Sequence, residues 1–174
     1  IAYSGTQKCL GVPPGLAPVT ISPLGQAALL ARHSKVSNWY LDLSLLAKYW
    51  GNERAYHHTV PINMVYGLHE GLSLALEEGL QARWQRHREN AELLWTGLEE
   101  MGISLFVPRA YRLPSLTTAQ IPTGVDDLAV RRRLLNAYNI EIAGGFGPLA
   151  GKIWRMCRMG HSSRLENVTL LIST

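Results

Sequence analysis

Lys8 closes a run of small and polar residues, Ser4-Gly5-Thr6-Gln7-Lys8, and is followed by Gly11 and the Pro13-Pro14-Gly15 break. A lysine held on a tight loop, rather than extended from a helix, can have its amine desolvated and poised to form a Schiff base with a carbonyl. On spacing alone, an ordinary solvated charge is the competing reading. Tyr56-His57-His58-Thr59 sets four hydrogen-bonding side chains ahead of a helix predicted to begin near Pro61. Hydroxyls at such a helix start suit a phosphate, because the free amides and the helix dipole also attract anions. Thr59 as a plain helix cap is the rival there. Adjacent His57 and His58 point in different directions and have no third ligand at a useful interval, so no metal site is expected.

In Lys152-Ile153-Trp154-Arg155-Met156, strand alternation puts Arg155 on one face with Ile153 and Cys157. An arginine on the apolar side of a strand calls for an anionic partner, and its planar fork grips a carboxylate at two points. An edge-strand arginine reaching water is the alternative. Gly144-Gly145-Phe146-Gly147-Pro148 lacks the lysine and the spacing of a phosphate loop and reads as a flexible substrate-facing loop. Arg83, Arg86, His87 and Arg88, like Arg131-Arg132-Arg133, sit in amphipathic patterns with acids nearby and read as solvated helix faces.

These residues must be positioned by elements that the patterning also predicts. A strand ends near Tyr3, a second runs over 16–21, and Ser22-Pro23 has the form of an N-cap and first helical position for a helix toward His33. A second helix is predicted over 41–50, closed by Gly51-Asn52. Ile62, Val65, Leu68, Leu72, Leu76 and Leu80 then recur every three or four residues, with a kink near Gly79 before a helix that runs to Met101 and Gly102. From 103 onward, strand-like runs at 103–107, 116–121, 140–143 and 153–159 alternate with helices over 126–138 and from Arg164, a small α+β unit. The expected division is 1–90 as the remainder of a large domain with its connecting helix and 91–174 as a small α+β domain.

The 174 residues are 47% hydrophobic and 17% charged, which excludes disorder and a disulfide scaffold. The formal charge of +4 suits anionic small molecules and falls short of a nucleic-acid signature. No run approaches the length of a membrane span, so neither nucleic acid nor membrane is an expected partner. Cys9 and Cys157 form no CxxC pair and favour a reducing compartment; the cytoplasm is the expected location. The chain begins at Ile1 as though inside a strand, and it is expected to be a piece of something longer.

Ser4 to Lys8, Pro13-Pro14-Gly15, Tyr49-Trp50-Gly51, Tyr56 to Thr59, Arg112-Leu113-Pro114 with Thr117-Thr118, Gly144 to Gly147 and Gly151 to Arg155 together, in this order and spacing, resemble the alanine:glyoxylate (serine:pyruvate) aminotransferase family. The resemblance covers essentially the whole chain. It implies an α/β fold: the C-terminal part of the large domain of a fold-type I pyridoxal-phosphate (PLP) transferase, followed by a small α+β domain. It also implies transamination from alanine or serine to glyoxylate or pyruvate. In its terms Lys8 forms the internal aldimine and moves the proton, Gln7 contacts the cofactor phosphate, and Tyr56 and Thr59 reach the phosphate of the partner in a homodimer with shared active sites. Arg155 clamps the carboxylate of amino-acid and 2-oxo-acid substrates. Cys157 and Arg158 depart from the family pattern of Gly and an aliphatic residue, so Arg158 is expected to compete for anions. The groups beneath and above the cofactor ring lie upstream, and the chain alone is expected to be inactive. Another fold-type I reaction and a non-catalytic dimerising fragment are the alternatives.

Overall fold

The computed structural model describes residues 1–174. Contacts divide the chain into two compact units, one formed by 1–7 with 12–69 and the other by 8–11 with 70–174.

In the first unit, β1 (Ala2–Tyr3) pairs antiparallel with β2 (Val19–Thr20). Of the predicted 16–21 strand only Val19 and Thr20 form a regular ladder, while Pro18 and Leu16 accept the Ser4 and Thr6 amides at 3.0 and 3.2 Å; both strands are exposed in this chain. Ser22 caps α1 (Pro23–Leu30), its Oγ accepting the Gly25 amide at 3.2 Å, and Pro23 occupies the first turn where a missing N–H costs nothing. A 3₁₀ turn at Trp39–Leu41 leads into α2 (Leu43–Trp50), whose cap is Asp42, with Oδ1 2.9 Å from the Ser44 amide. Gly51 ends it.

The division between units falls inside α3 (Ile62–Glu78), and α4 (Leu80–Glu100) follows directly. The predicted kink is a break: Gly79 has φ +81, a conformation open to glycine. The apolar repeat of α3 does not face a core in this chain. Ile62, Val65, Leu72, Leu76 and Leu80 are all exposed, while the buried positions are the small residues Gly71 and Ala75.

The second unit carries the core. An antiparallel sheet in the order β3 (Leu116–Gln120), β5 (Ile153–Cys157), β4 (Ala143–Gly144) packs against α4 and α6 (Leu165–Ile172). Leu94, Leu98, Ala119, Ile142, Trp154, Met156 and Val168 form the buried cluster. Fully buried Leu94 and Val168 each contribute on the order of 1.5–3 kcal/mol by area. The run 103–107 is not a strand. It adds to the sheet edge through a single bridge, Leu105 to Ala119, with the Phe106 amide donating to the Thr118 carbonyl and the Gln120 amide to the Ser104 carbonyl. Pro108, which lacks an N–H, follows at once and cannot extend the ladder. Asp126 caps α5 (Asp127–Tyr138), which closes on Asn139 in the left-handed region. No helix is long and apolar enough to cross a membrane.

Candidate active site

Thr6 is fully buried in the first unit, its hydroxyl donating to the Pro13 carbonyl at 2.8 Å, and this fixes the approach to the loop. Gln7 belongs to the same unit, its carboxamide folded over Gly5 where a Cβ would meet Oε1 at 2.5 Å. Lys8 belongs to the second unit. Its carbonyl accepts the Gly11 amide at 2.9 Å, which closes a turn, and its side chain is exposed with no hydrogen bond or ion pair inside the chain.

That turn sits on the segment that follows β5. Gly160, at φ +61, approaches so closely that a Cβ there would stand 2.9 Å from Gly11 Cα. Arg155 lies on β5 three residues before Arg158 and five before Gly160, so the lysine turn and the arginine strand are joined through a backbone contact within one unit.

Arg155 is half-buried and shares a face of β5 with Ile153 and Cys157, as the alternation predicts, but that face is not the one that carries the core cluster. Trp154 and Met156 enter the core, and Arg155 projects from the opposite face of β5. Its Nε donates to the Gly144 carbonyl at 2.7 Å, and its guanidinium carbon lies 3.8 Å from the centre of the Phe146 ring. No carboxylate of this chain engages it, which leaves its terminal N–H groups for an external anion. The glycine-rich segment expected to be a flexible loop is instead the short β4 strand and a 3₁₀ turn at Gly147–Leu149. Gly145 is pressed against the Leu149 carbonyl, which leaves no room there for a Cβ.

Arg158 does not compete for anions at the surface. It is 5% exposed, donates through Nη2 to the Pro114 carbonyl and the Thr117 hydroxyl, and has Nε and Nη1 unpartnered. Burial without a counter-charge pulls its pKa down to about 10.

In the first unit, the Tyr56 and Thr59 hydroxyls lie 3.0 Å apart, both exposed, just ahead of α3. Thr59 engages Tyr56 rather than capping the helix. The two histidines between them are committed elsewhere. His57 Nε2 donates to the Trp39 carbonyl at 3.2 Å, its Nδ1 accepts from His58 Nδ1 at 2.8 Å, and its ring stacks on Trp39 at 4.1 Å. No three His, Cys, Asp or Glu side chains are grouped to hold a metal ion. Gln7, Tyr56 and Thr59 thus lie in one unit, Lys8 and Arg155 in the other.

Sequence reasoning missed the network behind Lys8. Glu78 receives Arg83 Nη1 at 2.9 Å and Arg86 Nε at 2.6 Å. The Arg86 hydrogen bond, with Arg83, holds its carboxyl below the usual range. His87, buried, accepts the Gly160 amide on Nε2 at 3.2 Å and donates Nδ1–H to the Arg83 carbonyl at 2.7 Å, which fixes a neutral tautomer. Burial lowers its pKa. The cluster Arg83-Arg86-His87 was legible only as charge on a helix, and its partners lie 74 and 73 residues away.

No family model matches the chain. An alanine–glyoxylate aminotransferase structure from Nostoc sp. superposes with a TM-score of 0.94 at 56% identity, over 98% of this chain and 45% of that one. The (S)-ureidoglycine–glyoxylate transaminase of Bacillus subtilis is 42% identical over 190 residues, covering 99% of this chain and 46% of its own length. The alanine–glyoxylate aminotransferase of Callithrix jacchus is 42% identical over 175 residues, with 98% and 42% covered. The homologues of this chain are alanine–glyoxylate and ureidoglycine–glyoxylate aminotransferases. The chain spans under half the length of the relatives it matches and corresponds to the C-terminal part of the PLP fold-type I architecture.

Proposed function

We propose that this chain is the C-terminal part of a PLP-dependent aminotransferase that moves an amino group from alanine or serine to glyoxylate or pyruvate. What carries the reading is the contact of Gly160 on Gly11, because it ties a free primary amine at Lys8 to the strand that presents Arg155. The donor set suits the cofactor: an unpartnered amine for its carbonyl, a pair of exposed hydroxyls for its phosphate, and a guanidinium with free N–H groups for the substrate carboxylate. When bound, PLP supplies an electron sink that stabilises negative charge at the substrate α-carbon.

The chain's own residues then divide the work. Lys8 Nζ binds the cofactor and moves the proton at the α-carbon. Arg155, its plane set by Gly144 and Phe146, orients the substrate through a two-point carboxylate grip. Gln7, Tyr56 and Thr59 bind phosphate, the last two across a homodimer interface. The exposed apolar face of α3 beside that loop supports the dimer. The cytoplasm as location and the domain division at residue 90 belong to the same proposal.

The relatives share glyoxylate in their names and differ in the donor, so the decisive assay is a donor panel on the full-length protein: alanine, serine and ureidoglycine against glyoxylate and pyruvate. Turnover of alanine or serine, with borohydride fixing a pyridoxyl group on Lys8, is the expected result. A pyridoxyl group on Lys35, Lys48 or Lys152 would overturn the site. Mixing Lys8→Ala with Tyr56→Ala subunits should restore one intact site per dimer; no recovery despite subunit exchange would assign Tyr56 to its own chain.

A further inference from the structure

We propose that Arg83, held by Glu78, is a positioning residue for Lys8, a role that rests on the reading of Lys8 given above. Arg83 is at the start of α4, only 12% of its side chain is exposed, and its guanidinium is divided between two partners. Nη1 donates to Glu78 Oε2, and Nη2 donates to the Cys9 carbonyl at 2.9 Å.

The pair with Glu78 alone would be a local brace across the Gly79 break. The second bond has no such local explanation, since it reaches 74 residues along the sequence to the carbonyl of the residue next to Lys8, inside the turn closed by Lys8 and Gly11. Arg86 extends the anchor. It shares Glu78 and donates to the Gly160 and Ser163 carbonyls, in the segment that packs on the same turn.

The Lys8 turn is therefore held from two directions, by a charged fork on one of its carbonyls and by glycine packing on its Cα trace. A charge-assisted bond to a main-chain carbonyl is stronger than a neutral one and directional, so it fixes the Cys9–Leu10 peptide plane, inside the turn that Lys8 opens. Only arginine offers two coplanar donors to reach Glu78 and Cys9 together.

The test compares wild type, Arg83→Met, Arg83→Lys and Glu78→Gln in the full-length protein. Two quantities are read: hydrogen exchange at the Gly11 amide in cofactor-free protein, and steady-state kinetics with PLP. Arg83→Met should speed Gly11 exchange roughly tenfold, the factor equivalent to about 1.4 kcal/mol, while protection in β3 and β5 is kept. It should also lower kcat by a similar factor with KM nearly unchanged. Arg83→Lys should recover part of both, and Glu78→Gln should move both in the same direction as Arg83→Met by less.

Unchanged exchange at Gly11, or a rise spread evenly over the second unit, overturns the proposal. If Arg83→Met does not fold, Glu78→Gln decides by the same criteria. Faster Gly11 exchange with a pyridoxyl group found on another lysine leaves the hold on the turn intact and instead defeats the functional reading of Lys8.

Discussion

Gly160 and Gly11 pack backbone to backbone: a Cβ on Gly160 would lie 2.9 Å from Gly11 Cα and 3.1 Å from the Cys9 carbonyl oxygen. Gly160 also has φ +61, where an L side chain costs about 1–2 kcal/mol. Gly160→Ala therefore carries two penalties, one conformational and one steric, against a main chain that cannot rotate away. Gly124, at φ +83 with nothing within 4 Å of the position a Cβ would take, would carry only the first. Thermal melts of the full-length protein should show Gly160→Ala clearly less stable than Gly124→Ala, with the larger loss of activity at Gly160.

His87 predicts a pH dependence. In the folded chain it is neutral and its pKa is lowered by burial, whereas the unfolded residue titrates near 6.5. Between those values the unfolded state holds the extra proton, so stability rises with pH through this window and falls on acidification, by at most about 1.4 kcal/mol per pH unit. Glu78, with its carboxyl held below 4.5, contributes stability that is lost only at lower pH. Melts at pH 7 and pH 5 should therefore differ more in wild type than in His87→Gln.

For Arg155, the expected result is that lysine is a poor replacement, because a single ammonium cannot reproduce the two-point grip. Arg155→Lys should lose roughly 30-fold to a few thousand-fold in kcat/KM, corresponding to about 2–5 kcal/mol for a truncated buried charge pair. The loss should appear with every donor and acceptor while PLP binding, followed by its visible absorption, is kept.

Arg158 makes the opposite prediction. A buried guanidinium with two unpartnered donor atoms and no acid beside it is costly, and apolar residues of similar volume in place of buried charges are often neutral or stabilising by about 1–4 kcal/mol. Arg158→Met should melt at or above the wild-type temperature and retain activity. A large drop in kcat with unchanged stability would place Arg158 in the reaction.

Local signals carried the sequence reading furthest. Ser22-Pro23, Gly79 and Gly102 mark helix ends because caps and glycines act within one turn, and all three lie at observed ends. The 103–107 run failed because its apolar content is that of a strand while Pro108 limits its pairing. The alternation placed Arg155 correctly with Ile153 and Cys157 but did not show which face of β5 meets the core cluster. Ile153 is buried as well as Trp154 and Met156, so hydrophobicity alone could not tell which set of alternate residues meets the core. The bonds from Arg83 to Cys9 and from His87 to Gly160 were invisible since nothing local specifies a partner more than seventy residues away.

Trp154 illustrates what the pleat of β5 imposes. Its ring lies in the core and its Nε1 donates to Asp127 Oδ1 at 2.9 Å, itself gripped by Arg131, so one residue before Arg155 the strand is bolted to the start of α5. Arg155 faces outward only because it is an odd step between two inward ones. Loss or gain of a single residue in this strand would exchange the two sets, driving a guanidinium into the core and a tryptophan out of it. The outward-facing arginine is thus tolerant of change in what its neighbours are and intolerant of change in how many there are, a constraint of parity rather than of chemistry.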